Sequence, residues 1–340
     1  MAGTGSDHLR AAASALLTVD GLVVEFPAGR GERVHAVSGV SFDLLPGETL
    51  GILGESGCGK SSAGRALMQL PPPTSGRVVL QGRELTGLSR RAGREARAAM
   101  QMIFQDPISS LNPRRKVRDL VAEGPRMWGR KVDEEEIRDV LAAVGLDLDV
   151  VGDRRPHELS GGQCQRLCIA RALMLEPTVL ICDEPVSSLD VSVQAQILNL
   201  LADTKASREL SMVFIAHDVA VVKNVSDRVM VMYLGKVCEV IGADDLVDRG
   251  RHPYTRLLLD SVPEVPEVPK ASGVDVALPV GPESGAGPAV GVPGELPSPL
   301  DPPSGCRFRT RCPLATDRCA AEEPLLREVG AGRYVACHHA

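Results

Sequence analysis

The sequence lacks long hydrophobic runs and an excess of basic charge. No stretch of 18 or more apolar residues occurs among its 340 residues, so no membrane-spanning segment is predicted. The net charge of −6 argues against a general nucleic-acid-binding surface. Residues 1–15 lack the apolar core of a signal peptide. We therefore expect a flexible N-terminus and a protein in the cytosol, or peripheral on the cytosolic side of a membrane.

Aromatic residues are also scarce, with five Phe, three Tyr and one Trp. Phe26 is the first of them, at the end of the Val- and Leu-rich segment 16–26, which predicts strand structure. A second β segment is predicted over 34–45, after a turn-rich stretch. An aromatic residue at this position could stack on an adenine ring or pack in the core, and its position alone favours neither.

What the sequence does contain is a phosphate-binding loop. Residues Gly54–Ser61 read GESGCGKS and fit the pattern G-x-x-x-x-G-K-[ST]. The apolar run Thr49–Leu53 predicts a buried strand before the loop, and Ser62–Leu70 predicts a helix after it. Because backbone N–H groups and the helix dipole at such a junction attract phosphate, we expect Lys60 to reach the β- and γ-phosphates and Ser61 to ligate Mg²⁺. The residues assigned to nucleotide binding here are Gly54, Glu55, Ser56, Gly57, Cys58, Gly59, Lys60, Ser61 and Ser62.

Polar side chains end two further predicted buried strands. Gln105 follows the apolar run Met100–Phe104 and is placed to contact Mg²⁺ or the attacking water. Asp183 and Glu184 end the strand that begins at Thr178. Asp183 is placed to hold Mg²⁺ through water, and Glu184 to polarise the attacking water. Two acids after a buried strand in a chain with a phosphate-binding loop are unusual as mere surface charges.

His217 follows another predicted buried strand, Met212–Ala216. A single histidine is most often structural, but this one ends a strand that we expect to run parallel to the strand carrying Asp183 and Glu184. That position is within reach of a γ-phosphate, so His217 is a candidate contact to it.

A second loop of small residues, Leu159–Gln163, precedes an apolar and basic helix predicted over Cys164–Leu175. Such a loop at a helix N-terminus is a second phosphate-binding element. Since one nucleotide does not need two such loops from one chain, we expect this loop to serve a nucleotide held by another subunit. Further along, Ser187–Leu189 predicts a turn and Asp190 the cap of a helix running to about Leu201.

The stretch 115–157 is predicted to be largely helical, and its clearest helix covers Asp133–Gly145. Asp133 is the expected cap, and Glu136 completes a pattern like a capping box. Apolar residues at helical spacing predict one packed face. We assign this helix no chemistry.

The last 35 residues hold four of the nine cysteines. Residues 262–303 precede them and contain eleven prolines, which predicts a linker. In a reducing compartment such a group of thiols favours a metal over disulfides. Its spacing, C-x₅-C-x₆-C-x₁₇-C, lacks the C-x₂-C pair common in structural zinc sites. Four thiolates can hold Zn²⁺ or a [4Fe–4S] cluster, and four free thiols are the alternative. The four are Cys306, Cys312, Cys319 and Cys337, and His338 or His339 is a possible substitute ligand.

Taken together, these motifs resemble those of the ABC ATPases in type and order. The resemblance implies an α/β P-loop fold with an antiparallel β subdomain, a RecA-like and mostly parallel core sheet, a helical signature subdomain at about 106–172 and a small Cys-rich C-terminal extension. The implied domains are an ABC ATPase over 16–261, a Pro-rich linker over 262–303 and the extension over 304–340. The segments that resemble the Walker A, Q-loop, signature, Walker B, D-loop and H-loop motifs are Gly54–Ser61, Gln105, Leu159–Gln163, Asp183-Glu184, Ser187–Asp190 and His217.

The resemblance also assigns roles. It makes Glu184, Gln105 and His217 the catalytic set, implies ATP and Mg²⁺ as cofactors, and places Phe26 at the adenine-stacking position. Two ATPase subunits would sandwich two ATP molecules head to tail. The residues implied to meet the ATP held by the partner are Ser160, Gly161, Gly162, Gln163 and Asp190.

Four stretches narrow the resemblance to the ATPases of oligopeptide/dipeptide importers, and Cys58 with the sequence SLNPR favours the OppF/DppF type. Membership implies a second ATPase subunit (a heterodimer or a homodimer), two membrane permeases, an extracytoplasmic peptide-binding protein and a peripheral position on the cytoplasmic face of the cell membrane. The resemblance favours a [4Fe–4S] cluster over zinc on the four C-terminal cysteines. A further possibility is that the extension acts as a redox sensor that regulates the ATPase. The stretches are MIFQDPISSLNPR at 102–114, DEPVSSLDVSVQAQILNL at 183–200, MYLGK at 232–236 and HPYT at 252–255.

Two other functions share some of these motifs. Nickel importers of the same group carry them all. A soluble ABC ATPase acting on DNA or ribosomes is less favoured, because the stretch between Gln105 and Ser160 has no room for a long coiled coil and the chain holds one ATPase core. We expect no nucleic-acid partner.

Overall fold

The computed structural model describes residues 5–29, 31–261 and 295–340. The chain divides into two compact units. The first takes its described residues from 5–93, 213–261 and 295–340, and the second consists of 94–212. Most of the linker predicted over 262–303 lies outside the described residues.

The strands and helices alternate along much of the chain, as expected for an α/β protein. In chain order the strands are β1 (Leu17–Gly29), β2 (Glu32–Leu44), β3 (Thr49–Leu53), β4 (Ser75–Leu80), β5 (Arg83–Glu84), β6 (Met100–Ile103), β7 (Val179–Asp183), β8 (Ser211–Ala216), β9 (Arg228–Tyr233), β10 (Lys236–Gly242), β11 (Arg327–Gly330) and β12 (Arg333–Val335). The helices are α1 (Lys60–Leu67), α2 (Arg90–Ala99), α3 (Val117–Val121), α4 (Glu123–Met127), α5 (Glu134–Ala143), α6 (Leu148–Val151), α7 (Gly161–Leu173), α8 (Val191–Arg208), α9 (Val219–Val225), α10 (Leu246–Arg249), α11 (Pro253–Asp260) and α12 (Asp317–Ala321).

An antiparallel sheet of the first unit has the strand order β2-β1-β4-β5. Strands β1 and β2 form a long hairpin in which Leu17 faces Leu44. Along β1, Val19, Leu22 and Val24 are buried while residues between them are partly open. This alternation is typical of a sheet with one face on the core. The antiparallel pairing of β1 with β2 and β4 confirms the predicted antiparallel β subdomain.

The core sheet of the first unit runs in the order β11-β12-β10-β9-β3-β8. Strand β3 pairs in parallel with β9, and its five residues are all buried. Helix α9 packs on β3 so closely that a Cβ at Gly51 would lie 2.6 Å from Cγ1 of Val222 in that helix. The hairpin β11–β12 joins the sheet at β10, where Glu239 faces Val335. The sequence analysis did not predict strands in the C-terminal extension.

The second unit combines a parallel strand pair with a helical region. Met100 of β6 faces Val179 of β7 in parallel register. Helix α7 lies among α3, α4, α5, α8 and β6, and its residues Leu167 and Ile169 are fully buried. Because α7 is surrounded, it is apolar on several faces rather than on one stripe. This region corresponds to the predicted helical signature subdomain.

Helix termini agree with most of the sequence-based predictions. Helix α5 begins after Asp133, whose carboxylate accepts a 2.8 Å hydrogen bond from the N–H of Glu136. Helix α8 begins after Asp190, but the side chain of Asp190 makes no capping bond. No helix in the described residues is long and apolar enough to cross a membrane.

The N-terminus packs against the first sheet over part of the stretch predicted to be flexible. His8 is buried, and its Nε2 lies 2.7 Å from the carbonyl oxygen of Ser41. Arg10 pairs with the buried carboxylates of Asp43 and Glu48. Burial lowers the pKa of the His8 ring, as expected for a histidine packed against a sheet.

Candidate nucleotide site

The P-loop, residues Gly54–Ser61, connects β3 to α1 in the first unit. Its glycines are required by close packing and by backbone conformation. A Cβ at Gly54 would lie 2.2 Å from the carbonyl oxygen of Met232. A Cβ at Gly59 would lie 2.0 Å from the carbonyl oxygen of Ala36, and Gly59 has a φ of 104°. The loop is therefore pressed against its own unit in a shape that only glycine permits.

Lys60 is the first residue of α1 and is only 3% exposed. Its ammonium donates hydrogen bonds to the carbonyl oxygens of Gly54, at 2.7 Å, and Glu55, at 2.9 Å. The N-cap residue Gly59 makes no side-chain capping bond to the first turn of α1. A buried cation at a helix N-terminus, where the helix dipole favours negative charge, fits a phosphate group, so the chain's own residues suit ATP.

The other predicted site residues of the first unit lie on different elements. Phe26, on β1 opposite Val34, is half-buried and so keeps part of its ring open. Ser61 and Ser62 are half-buried in the first turn of α1. His217 follows β8 directly and is exposed.

In the second unit, the structure brings Gln105 and Glu184 together. The Gln105 amide Nε2 donates a 3.0 Å hydrogen bond to Glu184 Oε2. Glu184 is 7% exposed and has a φ of 46°. A glutamate in the left-handed region is strained, and such strain is typical of functional positions.

Asp183 ends β7 and is completely buried. Buried carboxylates need compensating charge or hydrogen bonds, and carboxylate oxygens are the ligands that Mg²⁺ prefers. The acidic end of β7 therefore fits the predicted Mg²⁺ ligand Asp183.

The signature loop, residues Leu159–Gln163, forms the N-terminus of α7. Ser160 Oγ accepts a hydrogen bond from the N–H of Gln163, and Gln163 Oε1 accepts one from the N–H of Ser160. This reciprocal pair is a capping box. Ser160, Gly161 and the later residue Asp190 are exposed. The loop is thus stabilised by hydrogen bonds between its own residues, and part of it is exposed to solvent.

The four clustered cysteines lie in the first unit and influence one another. Burial raises the pKa of Cys306 to about 11, and the other three thiols add to that shift. Burial also raises the pKa values of Cys312 and Cys337. Cys319 Sγ lies 3.6 Å from Nε2 of His339.

The structure does not support the four-cysteine metal site. Within residues 5–29, 31–261 and 295–340, no group of three or more His, Cys, Asp or Glu residues is placed so that it could hold a metal ion. The prediction of a [4Fe–4S] cluster or Zn²⁺ on Cys306, Cys312, Cys319 and Cys337 is therefore unsupported by the described residues.

Two residues that contact the P-loop were missed by the sequence analysis. Tyr254 Oη accepts a 2.8 Å hydrogen bond from the N–H of Glu55. The guanidinium of Arg311 donates to both carboxylate oxygens of Glu55, at 2.7 and 3.0 Å. Arg311 is 256 residues away along the chain, and no local pattern in one sequence signals such a contact.

Family models match two parts of the chain. Residues 37–187 match the ABC transporter family, and residues 238–274 and 276–319 match the oligopeptide/dipeptide transporter C-terminal region. The chain is 45% identical over 322 residues to the oligopeptide transport ATP-binding protein OppF of Salmonella typhimurium, covering 92% of each chain. It is 44% identical over 334 residues to the di/tripeptide transport ATP-binding protein DppF of Pseudomonas aeruginosa, covering 96% of this chain and 98% of the relative.

Solved structures agree on the fold. The structure of cbiO1 from Clostridium perfringens, part of the ABC transporter complex cbiONQ, matches with a TM-score of 0.60 and 28% identity, over 69% of this chain and 92% of that chain. The ATP-binding cassette MJ0796 matches with a TM-score of 0.61 and 24% identity, over 67% of this chain and 98% of that one. The predicted ABC ATPase fold is confirmed, and the chain belongs to the ABC transporter family, in the branch with an oligopeptide/dipeptide transporter C-terminal region.

Proposed function

We propose that this protein is the ATP-binding and ATP-hydrolysing subunit of an ABC importer that powers the uptake of oligopeptides or dipeptides across the cytoplasmic membrane. The observation that carries the proposal is the identity of about 45% to peptide transport ATP-binding proteins over more than nine-tenths of the chain. The C-terminal match to oligopeptide/dipeptide transporters favours peptides over nickel as the cargo.

The P-loop would bind the triphosphate. Its backbone N–H groups and the Lys60 ammonium, which bonds the carbonyl oxygens of Gly54 and Glu55 within the loop, would neutralise the β- and γ-phosphate oxygens. The half-open ring of Phe26 would stack on adenine. Both contacts hold the γ-phosphate in a fixed position, and such positioning lowers the barrier to hydrolysis.

The polar residues at the strand ends would bind Mg²⁺, activate the attacking water and contact the γ-phosphate. Ser61, Gln105 and Asp183 are the residues that would hold Mg²⁺, which when bound neutralises phosphate charge. Glu184, already hydrogen-bonded to Gln105, would accept a proton from the attacking water. His217 would donate a hydrogen bond to the γ-phosphate.

Hydrolysis would require a second ATPase subunit. The exposure of Ser160, Gly161 and Asp190 supports this, because a loop that caps its own helix and faces solvent is available to a partner. Ser160 and Gly162 would face the γ-phosphate of the partner's ATP, with Gly161, Gln163 and Asp190 beside them. The partner would be a different ATPase subunit or a second copy of this chain.

The remaining partners follow from peptide import. Two membrane permeases would carry the peptide path, and an extracytoplasmic binding protein would deliver the peptide to them. The protein would act on the cytoplasmic face of the cell membrane, where ATP is available, as a peripheral subunit docked on the permeases.

Glu184→Gln tests the assignment of the catalytic base. We expect ATP hydrolysis by the complex with its partner ATPase to fall by about 10²-fold or more, and an ATP-bound dimer to accumulate that size-exclusion chromatography detects. Lys60→Ala should instead abolish ATP binding and the dimer. The matched control is Glu176→Gln, since Glu176 is also in the second unit with a φ of 50° but is assigned no role. Wild-type turnover by Glu184→Gln would show that the base is misassigned.

Transport is tested in proteoliposomes that contain this chain, its partner ATPase and the permeases, with the binding protein outside. ATP-dependent accumulation of a labelled tripeptide is the expected result, and Lys60→Ala should abolish it. Accumulation of Ni²⁺ without any peptide uptake would contradict peptide import and show that the protein serves a nickel importer.

A further inference from the structure

Glu55, the second residue of the P-loop, forms hydrogen bonds through its N–H, its carbonyl oxygen and its carboxylate. Its N–H donates to the hydroxyl of Tyr254 at 2.8 Å. Its carbonyl oxygen accepts from the Lys60 ammonium at 2.9 Å. Its carboxylate accepts two hydrogen bonds from Arg311, at 2.7 and 3.0 Å. The contacts to Tyr254 and Arg311 do not involve Lys60, so they can remain when the Lys60 ammonium contacts a phosphate.

The ion pair between Arg311 and Glu55 is shielded and doubly hydrogen-bonded, so it is stronger than an exposed ion pair on the surface. The Arg311 side chain is 4% exposed and that of Glu55 25%, so solvent screens the pair only partly. Both guanidinium Nη atoms take part, which fixes the direction of the carboxylate as well as its distance. The guanidinium carbon also lies 5.7 Å from the centre of the Tyr233 ring, which adds a cation–π contact.

The segment that carries Arg311 is itself fixed on the first unit. Phe308 is 1% exposed, and its ring centre lies 5.1 Å from that of Tyr233 and 5.3 Å from that of Tyr254. Arg307 donates to Ser38 Oγ at 2.9 Å and to the carbonyl oxygen of Leu234. The next residue, Gly235, donates its N–H to the carbonyl oxygen of Cys58 in the P-loop. The C-terminal segment therefore contacts both the P-loop and the turn beside it.

We propose that the C-terminal segment 306–312 is a positioning element of the nucleotide site, and that Arg311 keeps the P-loop in its phosphate-binding shape through Glu55. The inference rests on the proposed function and adds a residue to it. Gly57 and Gly59 make the loop free to adopt other backbone conformations. Anchoring Glu55 removes part of that freedom before ATP arrives, and such preorganisation raises affinity without a direct contact to the ligand.

The test is the affinity of the full-length chain for ATP, measured with a fluorescent ATP analogue and Mg²⁺. Arg311→Ala should weaken binding by about tenfold. Arg311→Lys should give a smaller loss, because the charge stays while the paired geometry is lost. In the complex with the partner ATPase, KM for ATP should rise by about the same factor while kcat at saturating ATP changes little, a split that partial misfolding would not produce.

A mutant cycle isolates the pair. Glu55→Gln should weaken ATP binding much as Arg311→Ala does, and the double variant should be no worse than either single one. The matched control is Arg318→Ala, which removes an exposed arginine that pairs with Glu322 in the same extension and should leave affinity unchanged. Glu55→Gln also tests the pair if Arg311→Ala does not fold.

The outcomes separate the two proposals. Wild-type affinity in Arg311→Ala and Glu55→Gln, additive losses in the cycle, or an equal loss in Arg318→Ala would overturn the positioning role while wild-type ATP binding stands. Absence of ATP binding by the wild type, or unchanged binding by Lys60→Ala, would overturn the proposed function and this inference together.

Discussion

The P-loop and the signature loop both lead into a helix, yet they are held in opposite ways. The P-loop, Gly54–Ser61, depends on distant parts of its unit, since Ala36 and Met232 lie against its glycines and Arg311 pairs with its carboxylate. The signature loop, Leu159–Gln163, is closed by its own reciprocal hydrogen bonds. Each loop exposes two residues to solvent, Ser56 and Gly57 in the first and Ser160 and Gly161 in the second. The P-loop also has buried residues, whereas the signature loop has none.

This contrast matches the division of labour that we propose. A loop that binds a ligand within its own chain gains from a rigid, preorganised setting. A loop that meets a ligand on another subunit must stay accessible, so its stability has to come from local hydrogen bonds. The following predictions test whether the P-loop depends on its unit and the signature loop only on itself.

The largest effect is expected for Gly59→Ala. The new Cβ would lie 2.0 Å from the carbonyl oxygen of Ala36, at a φ of 104°, so the free energy of unfolding should fall by about 3 kcal/mol or more. Urea unfolding measures the loss. Gly161→Ala is the control in the signature loop, where the Cβ would lie 3.7 Å from Leu189 Cδ2 and stability should change by about 0.5 kcal/mol or less. Equal losses in the two variants would contradict the contrast.

Acid should weaken the support of the P-loop. Burial lowers the pKa of His252 from its ordinary 6.5 to about 4, and its Nδ1 accepts a hydrogen bond from the N–H of Tyr254. Between these pH values the unfolded chain binds a proton that the folded one does not. Stability is therefore full above pH 6.5 and falls by about 3 kcal/mol as the pH drops to 4.

The pH dependence of the urea midpoint tests this expectation. His252→Gln removes the titrating group, so the slope between pH 6.5 and 4 should become shallower. His157→Gln, which replaces an exposed histidine of the second unit, should keep the wild-type slope. An unchanged slope in His252→Gln would rule out this histidine as the cause.

The smallest effect on stability is expected for Ser160→Ala. Loss of the cap on α7 should reduce the free energy of unfolding by about 1 kcal/mol, without changing ATP binding by the single chain. ATP hydrolysis in the complex should fall by at least about tenfold, because the loop would no longer meet the partner's nucleotide. Asp133→Ala removes the comparable cap of α5 and should reduce stability equally but spare hydrolysis. Similar hydrolysis by both variants would show that Ser160 is only a helix cap.

Much of the fold could be predicted from local patterns. The apolar run Thr49–Leu53 is β3 as predicted, because a short buried strand needs little beyond continuous apolar side chains. The capping pair of Asp133 and Glu136 forms, since its partners are three residues apart. The strands that carry or precede Gln105, Asp183 and His217 were predicted from the same kind of continuous apolar run.

Contacts between distant segments could not be predicted in this way. The C-terminal cysteines suggested a metal site by their number, but in the described residues their arrangement does not form one. The strands β11 and β12 were missed because they are short and are stabilised by pairing with β10. The left-handed backbone conformation of Glu184 could not be predicted from the sequence either, since glutamate has no preference for that conformation.

By itself, the sequence determined the P-loop, the paired acids after β7 and the signature loop, because each is a short pattern whose chemistry depends on neighbouring residues. Only the tertiary structure decided what surrounds them. It placed Arg311 and Tyr254 on Glu55 and left the signature loop exposed. These features depend on how remote segments pack, and packing is a property of the folded chain rather than of any stretch of its sequence.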